Sequence, residues 1–348
     1  VIDLLKVTSR NFGRVWERLN LEFCEGPVDL IISAATLLDA VKHVFLASDE
    51  KQDETIAKFA TTLRINTSLQ SLWLLLPFTE TSAGHLGDAL AANDTIDKLS
   101  LSGSTWDPDA LDDMDDETTA DPMMKNSIAE SIDTMDTLYT ADSAALALAK
   151  GLGQNSSLRT VDLSCCSLQD DAMSTILSSL IGHPCLQVLD ISRNKCREMS
   201  VAALAEIMRN DGKLKNIDLR EQTEHDPLDI SRLALALRND DSLEVLKLSH
   251  NRLTDLQVVE LVRSLKGNGT LQELDLQWNQ ITEKGLNVLT KHLNELSALA
   301  VLLLGGNLFG KQGKDILESL EDDDESICTI NEDDLHQQQD GHYYHNGS

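Results

Sequence analysis

Aliphatic residues recur along the chain in two spacings. Leu243, Leu246 and Leu248 are spaced L-x-x-L-x-L, and the last two, being two residues apart, point to one face of a short strand. Leu261 and Leu265 are four residues apart with valines beside them, which predicts one face of an amphipathic helix. A single strand and a single helix cannot bury both apolar faces, so the pattern predicts that this unit is repeated.

The repeats are present at a period of 28 or 29 residues. Their strand patterns begin at Leu158, Leu186, Leu214, Leu243, Leu271 and Leu299. The position after the strand is Asn194, Asn251, Asn279 or Asn307 in four units and Cys166 or Gln222 in two. This pattern resembles the leucine-rich repeat, and its period is similar to that of the ribonuclease-inhibitor-like class. The resemblance implies an α/β solenoid, a horseshoe with a parallel sheet on its concave side and helices on its convex side. It also implies that the Asn side chain satisfies backbone groups in the turn.

The same spacing suggests the domain boundaries. Val41 begins a strand pattern 28 residues before Leu69, so the array is predicted to cover residues 41–320. Residues 1–40 contain a degenerate strand near Trp16 and are predicted to form a terminal capping repeat. An insert at about 103–142 interrupts one repeat, and residues 321–348 form a tail.

The insert and the tail carry much of the charge. Residues 103–142 hold twelve acids and one base, and residues 321–340 hold nine acids with no Lys or Arg. Such composition predicts disorder. These segments contribute −20 of the formal charge of −29, leaving −9 on the array. The negative net charge argues against nucleic acid and anionic membranes as partners. The sequence has no apolar run of about 18 or more residues, so no membrane span is predicted.

No motif predicts catalysis, a cofactor or a metal site, so the chain is not expected to be an enzyme. Residues 305–312 nearly spell a phosphate-binding loop, but Gln312 lacks the hydroxyl that would bind magnesium, and Asn307 is in phase with Asn279. The six cysteines show no metal-ligand spacing, which favours reduced thiols and a cytoplasmic location.

Four Asn-x-Ser/Thr triplets fall directly before the first apolar residue of a repeat, at Asn66, Asn93, Asn155 and Asn268. Asn, Ser and Thr suit the end of a helix and a turn. The turn consensus explains the placement, whereas glycosylation would require secretion.

The outward positions of the strands are the candidate binding surface. The predicted partner-binding residues on the concave face are Asp162, Asp190, Arg193, Asp218, Arg220, Lys247, His250, Asp275 and Trp278. One interpretation of the aspartates is that Asp is the common solvent-facing choice in this repeat. The other is an acidic trough for a partner with a basic surface. Trp278 is a natural anchor, because exposed aromatic residues often dominate binding faces.

The sequence therefore predicts a monomeric, non-enzymatic scaffold that binds a protein partner on its concave face. Two alternatives stay open. A Ran-type GTPase-activating regulator has a similar repeat class and an acidic tail, although no Arg lies between Arg64 and Arg159 to match that family's early functional Arg. The sensing repeat region of a larger receptor is the other, if the chain were truncated before Val1.

Overall fold

A computed structural model describes residues 18–22, 41–48, 53–106, 135–211, 213–223 and 225–321. The predicted capping repeat falls mostly, and the predicted tail almost wholly, outside these residues. The chain divides into two compact units, residues 1–189 and 190–348, and strand β6 (Val188–Asp190) spans the division.

In the first unit, parallel strands pair in chain order and alternate with helices. The strands are β1 (Arg18–Glu22), β2 (His43–Ala47), β3 (Ser71–Leu75), β4 (Lys98–Ser100) and β5 (Thr160–Asp162). The helices are α1 (Asp53–Leu63), α2 (Glu80–Ala92), α3 (Met135–Gln154) and α4 (Asp170–Ser179).

The second unit repeats this arrangement. Its parallel strands are β7 (Asn216–Asp218), β8 (Val245–Lys247), β9 (Glu273–Asp275) and β10 (Val301–Leu303). Its helices are α5 (Glu198–Asp211), α6 (Ser231–Leu237), α7 (Asp255–Leu265), α8 (Glu283–His292) and α9 (Lys311–Glu321), with a 3₁₀ turn at Leu293–Glu295. The predicted α/β solenoid of parallel strands and alternating helices is confirmed.

The strand and helix leucines meet in the core, as their spacing predicts. Leu246, Leu248 and Leu261 are fully buried. Burying one such side chain contributes about 1.5–3 kcal/mol. Helix α7 begins with a capping box, in which the Gln257 side chain accepts a hydrogen bond from the backbone N–H of Thr254.

A buried ladder of polar side chains closes the turn after several of the strands. Asn251 Nδ2 donates to the carbonyls of Leu219 (2.7 Å) and Leu248 (3.2 Å), while its Oδ1 accepts from Gln222 N at 2.9 Å. Gln222 acts in the same way one repeat earlier, since its Nε2 donates to the Ile191 carbonyl at 2.8 Å. We call this the turn ladder. It joins successive repeats through groups that neither strand nor helix can satisfy.

A second ladder lies at the helix ends and uses the Asn-x-Ser/Thr triplets. Asn155 Nδ2 donates to the carbonyls of Leu90 and Asn93, at 2.7 and 3.0 Å, and its Oδ1 accepts from the backbone N–H groups of Ser157 and Leu158. Asn155 is 2% exposed. Asn66, Asn93 and Asn268 are likewise buried and hydrogen-bonded. These four amides are structural groups, in agreement with the turn interpretation.

The ends of the predicted insert belong to the folded part of the chain. Trp106 is buried and stacks on Phe78 with a centroid distance of 5.2 Å, and Thr105 forms a parallel bridge with Pro77. Helix α3 begins at Met135. The described residues thus include both ends of the predicted insert of about 103–142. Residues 107–134 lie outside the described residues.

Helix α3 approaches α2 without room for a side chain at one point. A Cβ added to Gly151 would lie 2.1 Å from the Gly87 carbonyl oxygen. We expect Gly151→Ala to lower the free energy of unfolding by about 1–3 kcal/mol or more through overpacking. Gly84→Ala, where the new Cβ would be 3.8 Å from Ala147 Cβ, should be neutral or stabilising by up to about 1 kcal/mol. Urea unfolding of the two variants tests this, and equal effects would contradict the close approach.

The turn ladder makes a second stability prediction. Asn251→Ala leaves several buried backbone groups without their partner, at about 1–3 kcal/mol for each unsatisfied group. We expect a total loss of about 3 kcal/mol. Asn287→Ala, which removes an exposed amide that bonds only the Glu283 carbonyl, is the control and should change stability by about 0.5 kcal/mol or less. A loss of similar size in both variants would remove the ladder from its proposed role.

Candidate functional site

The open face is the sheet surface whose side chains point away from the buried leucines. In the second unit its strand registers place Lys247 between Asp218 and Asp275 on neighbouring strands. Asp162 lies in the first unit, where its Oδ2 accepts from Ser100 Oγ at 2.7 Å. The candidate residues of the second unit are Asp190, Arg193, Asp218, Arg220, Lys247, His250, Asp275 and Trp278.

The aspartates of this face fold back onto their own backbone. Asp162 and Asp190 each accept from the N–H two residues on, at 3.0 Å, and from that serine's hydroxyl at 2.7 Å. Asp275 accepts from Gln277 N at 3.0 Å and Asp218 from Arg220 N at 3.2 Å. This is an Asx-type turn. The recurring Asp after the strand leucine therefore has a local structural role.

Arg220 neutralises the most central of these carboxylates. Its Nε lies 2.8 and 3.0 Å from the two Asp218 oxygens, and its Nη2 lies 2.7 Å from Oδ2. The hydrogen bonds to Asp218 raise the pKa of Arg220, and the charges of Asp218, Asp190 and Asp275 add to this effect. The planar fork matches a carboxylate in two places, so Asp218 has no oxygen left without a partner.

The residues just after the strands share an unusual backbone conformation. Arg193, Glu221, His250 and Trp278 have φ values of 53–58°, in the left-handed region that costs a non-glycine residue about 1–2 kcal/mol. Their N–H groups donate to carbonyls of the following repeat at 2.8–3.1 Å. The parallel hydrogen-bond ladder thus continues through the turn and holds these four side chains in one column.

Within this column, Arg193 and Glu221 form an ion pair of 3.1 Å. His250 and Trp278 then stack with a centroid distance of 5.5 Å and an interplanar angle of 12°. The indole lies over Gly306, where a Cβ would come within 2.4 Å of the ring. We call His250, Trp278 and Gly306 the aromatic ledge. Trp278 remains 41% exposed, which makes the ledge a large apolar contact on a fixed turn.

Comparisons with known proteins agree with the repeat pattern. A family described as Leucine Rich repeat matches residues 154–177 and 267–289. The chain is a leucine-rich repeat protein. Human protein NLRC5 is 31% identical over 94 residues, which are 27% of this chain and 5% of that protein. The chain thus spans about 5% of this curated relative's length.

A solved structure titled as a TLR13–ssRNA13 complex is also similar. It is 16% identical, with a TM-score of 0.39, over 80% of this chain and 35% of that chain.

In this leucine-rich repeat protein, the near-match to a phosphate-binding loop is occupied by a side chain of the protein itself. Gly310 N, which opens the last helix, donates to Glu283 Oε1 at 2.8 Å. Asn307 belongs to the turn ladder and donates to the carbonyls of Leu276 and Leu304. A carboxylate at the helix N-terminus repels a phosphate there, so the interpretation as a repeat turn accounts for residues 305–312.

The described residues hold no group of three or more His, Cys, Asp or Glu side chains suited to a metal ion. None of the helices within those ranges is long and apolar enough to cross a membrane. Cys166 takes the Asn position of the turn ladder, and its Sγ lies 3.1 Å from the Leu101 carbonyl. Burial raises the pKa of this thiol to about 12, which leaves it protonated and unreactive.

Sequence reasoning missed one member of the turn ladder. Ser104 Oγ donates to the Leu74 carbonyl at 2.9 Å and accepts from Leu76 N at 3.1 Å. It stands three residues after Leu101, at the position where four other repeats carry Asn. That spacing was the available signal, although the position lay inside the predicted insert.

The ledge gives a prediction for His250. Burial lowers the pKa of His250 from its ordinary value of 6.5, and Glu221 and Asp275 partly oppose the shift while Arg193 and Arg220 add to it. The unfolded chain then binds more protons than the folded chain just below pH 6.5, so stability falls as the pH falls through this window. An NMR titration should find the pKa below 6.5 and closer to 6.5 in Trp278→Ala, which uncovers the imidazole. A value at or above 6.5 in the unaltered chain would contradict this.

Proposed function

We propose that this leucine-rich repeat protein is a non-enzymatic scaffold that binds a protein partner on the open face of its second unit. The observation that carries the proposal is the aromatic ledge. Trp278 is a large side chain, partly exposed and held on a rigid turn against His250 and Gly306. Rigid aromatic anchors of this kind supply much of the free energy at protein interfaces and lose little entropy on binding.

Charged side chains lie beside the aromatic ledge and suit the polar rim of a protein interface. Arg193 with Glu221, and Arg220 with Asp218, are charged pairs beside it. Their geometry is set by the repeat, which favours specificity over raw affinity. The ledge and these two ion pairs therefore combine an apolar contact with neighbouring paired charges, the usual arrangement of a protein interface.

The remaining features of the proposal follow from composition. A formal charge of −29 disfavours nucleic acid and anionic membrane surfaces. The absence of a motif for chemistry supports a role in binding, and the reduced-thiol interpretation of the cysteines supports a cytoplasmic location for a monomer. The Ran-type regulator and the receptor region stay predictions that no described contact favours.

The burial of the aspartates bears on the predicted basic surface of the partner. The acidic trough for a basic partner required carboxylates open to solvent, yet Asp218 and Asp275 are only 8% and 5% exposed and both accept from nearby N–H groups. The interpretation in which Asp is a structural choice of the repeat is therefore better supported.

Affinity capture from native lysate tests the proposal. Trp278→Ala should weaken the affinity for each specific partner at least about tenfold, since hot-spot truncations cost about 2 kcal/mol or more. Leu256→Ala removes an apolar side chain that is 75% exposed on helix α7 and serves as the matched control. Partners captured equally well by the unaltered chain and by Trp278→Ala would refute the ledge as the anchor.

A further inference from the structure

On the open face of the second unit, each carboxylate already accepts at least one hydrogen bond or ion pair from the protein, while two cations keep donors without a described partner. Both oxygens of Asp218 accept from Arg220, and Oδ1 of Asp190 and of Asp275 accepts from the backbone of its own turn. Glu221 is held by Arg193. A basic group that binds Asp218 or Glu221 would have to compete with Arg220 or Arg193.

Lys247 is the contrasting case. Among the residues that the structure describes, its ammonium makes no hydrogen bond or ion pair, although the register places it between Asp218 and Asp275. Arg220 also commits only Nε and Nη2 to Asp218, so Nη1 has no described partner. These two cations are diagonal neighbours on adjacent strands, within reach of a single carboxylate.

We propose that this face binds an extended peptide segment that carries a carboxylate on Lys247 and an apolar side chain on the aromatic ledge. This inference rests on the proposed function and specifies its partner. Lys247 precedes His250 by three residues, and Trp278 lies one strand further on. With a rise of about 3.4 Å per residue and a strand spacing of about 4.8 Å, the two contacts lie roughly 11 Å apart. An extended segment covers this span in three or four residues.

The charge of the whole chain does not oppose this contact strongly. Charges further than about 8 Å away are largely screened at physiological salt, and the net charge acts mainly on the rate of association. On the face itself there are three cations (Arg193, Arg220 and Lys247) and four acids, and two of these acids, Glu221 and Asp218, form ion pairs with Arg193 and Arg220. A carboxylate that binds Lys247 gives the third cation a partner as well.

Selection of peptides from a displayed random library on the full chain tests the inference. Enriched peptides should carry Asp or Glu three or four residues from a large apolar residue. A synthetic copy of an enriched peptide should bind Lys247→Gln about tenfold more weakly, the loss expected for one charged contact, while Lys247→Arg retains binding. Lys284→Gln, which removes an exposed charge on α8, is the matched control and should not change the affinity.

Other outcomes separate the two proposals. Enriched peptides that are basic, or that bind Lys247→Gln unchanged while losing affinity for Trp278→Ala, would overturn the acidic segment and leave the binding face intact. Failure to enrich any peptide that depends on Trp278 would count against both. Thermal unfolding of each variant establishes that it is folded, which the partial exposure of Lys247 and Trp278 leads us to expect.

Discussion

Buried backbone groups in the turn after each strand are the constraint on which this protein depends. A strand that ends inside a stack of repeats leaves N–H and C=O groups that neither water nor the next helix can reach. The turn ladder satisfies them with polar side chains, as when Asn279 Nδ2 bonds the carbonyls of Leu248 and Leu276. Asn251, Asn279 and Asn307 each bond a carbonyl of the preceding repeat, so the same interaction closes a turn and joins neighbours in the array.

The surface that we propose for binding is a consequence of that closed turn. Four residues with a left-handed backbone each stand directly before a residue of the turn ladder: Arg193, Glu221, His250 and Trp278. Their backbone N–H groups continue the hydrogen bonding of the parallel sheet. Their side chains therefore project from a backbone that the core holds rigid. This rigidity is what makes Trp278 a credible anchor, because little conformational entropy remains to be lost when a partner binds.

Charge on this surface has two different uses. The aspartates that dominate the sequence pattern shape the turns and hold Arg220, so they contribute to structure more than to recognition. Lys247 departs from the pattern, and its ammonium makes no hydrogen bond or ion pair within the part of the chain that the structure describes. We therefore base the proposed carboxylate contact on this break in the repeat and not on the consensus.

Leucine spacing indicated the strand and the helix of each repeat, and its resemblance to the leucine-rich repeat at a period of 28 or 29 residues implied the fold. It also located the candidate face, since alternate strand residues must point outward. The turn geometry decides whether Asp218 is exposed to solvent or forms an ion pair with Arg220, and leucine spacing does not encode that geometry. Whether His250 stacks on Trp278 depends on a neighbour that is a whole repeat away. Only the tertiary structure decided these points, because side-chain pairing is set by distances between repeats and not by positions within one.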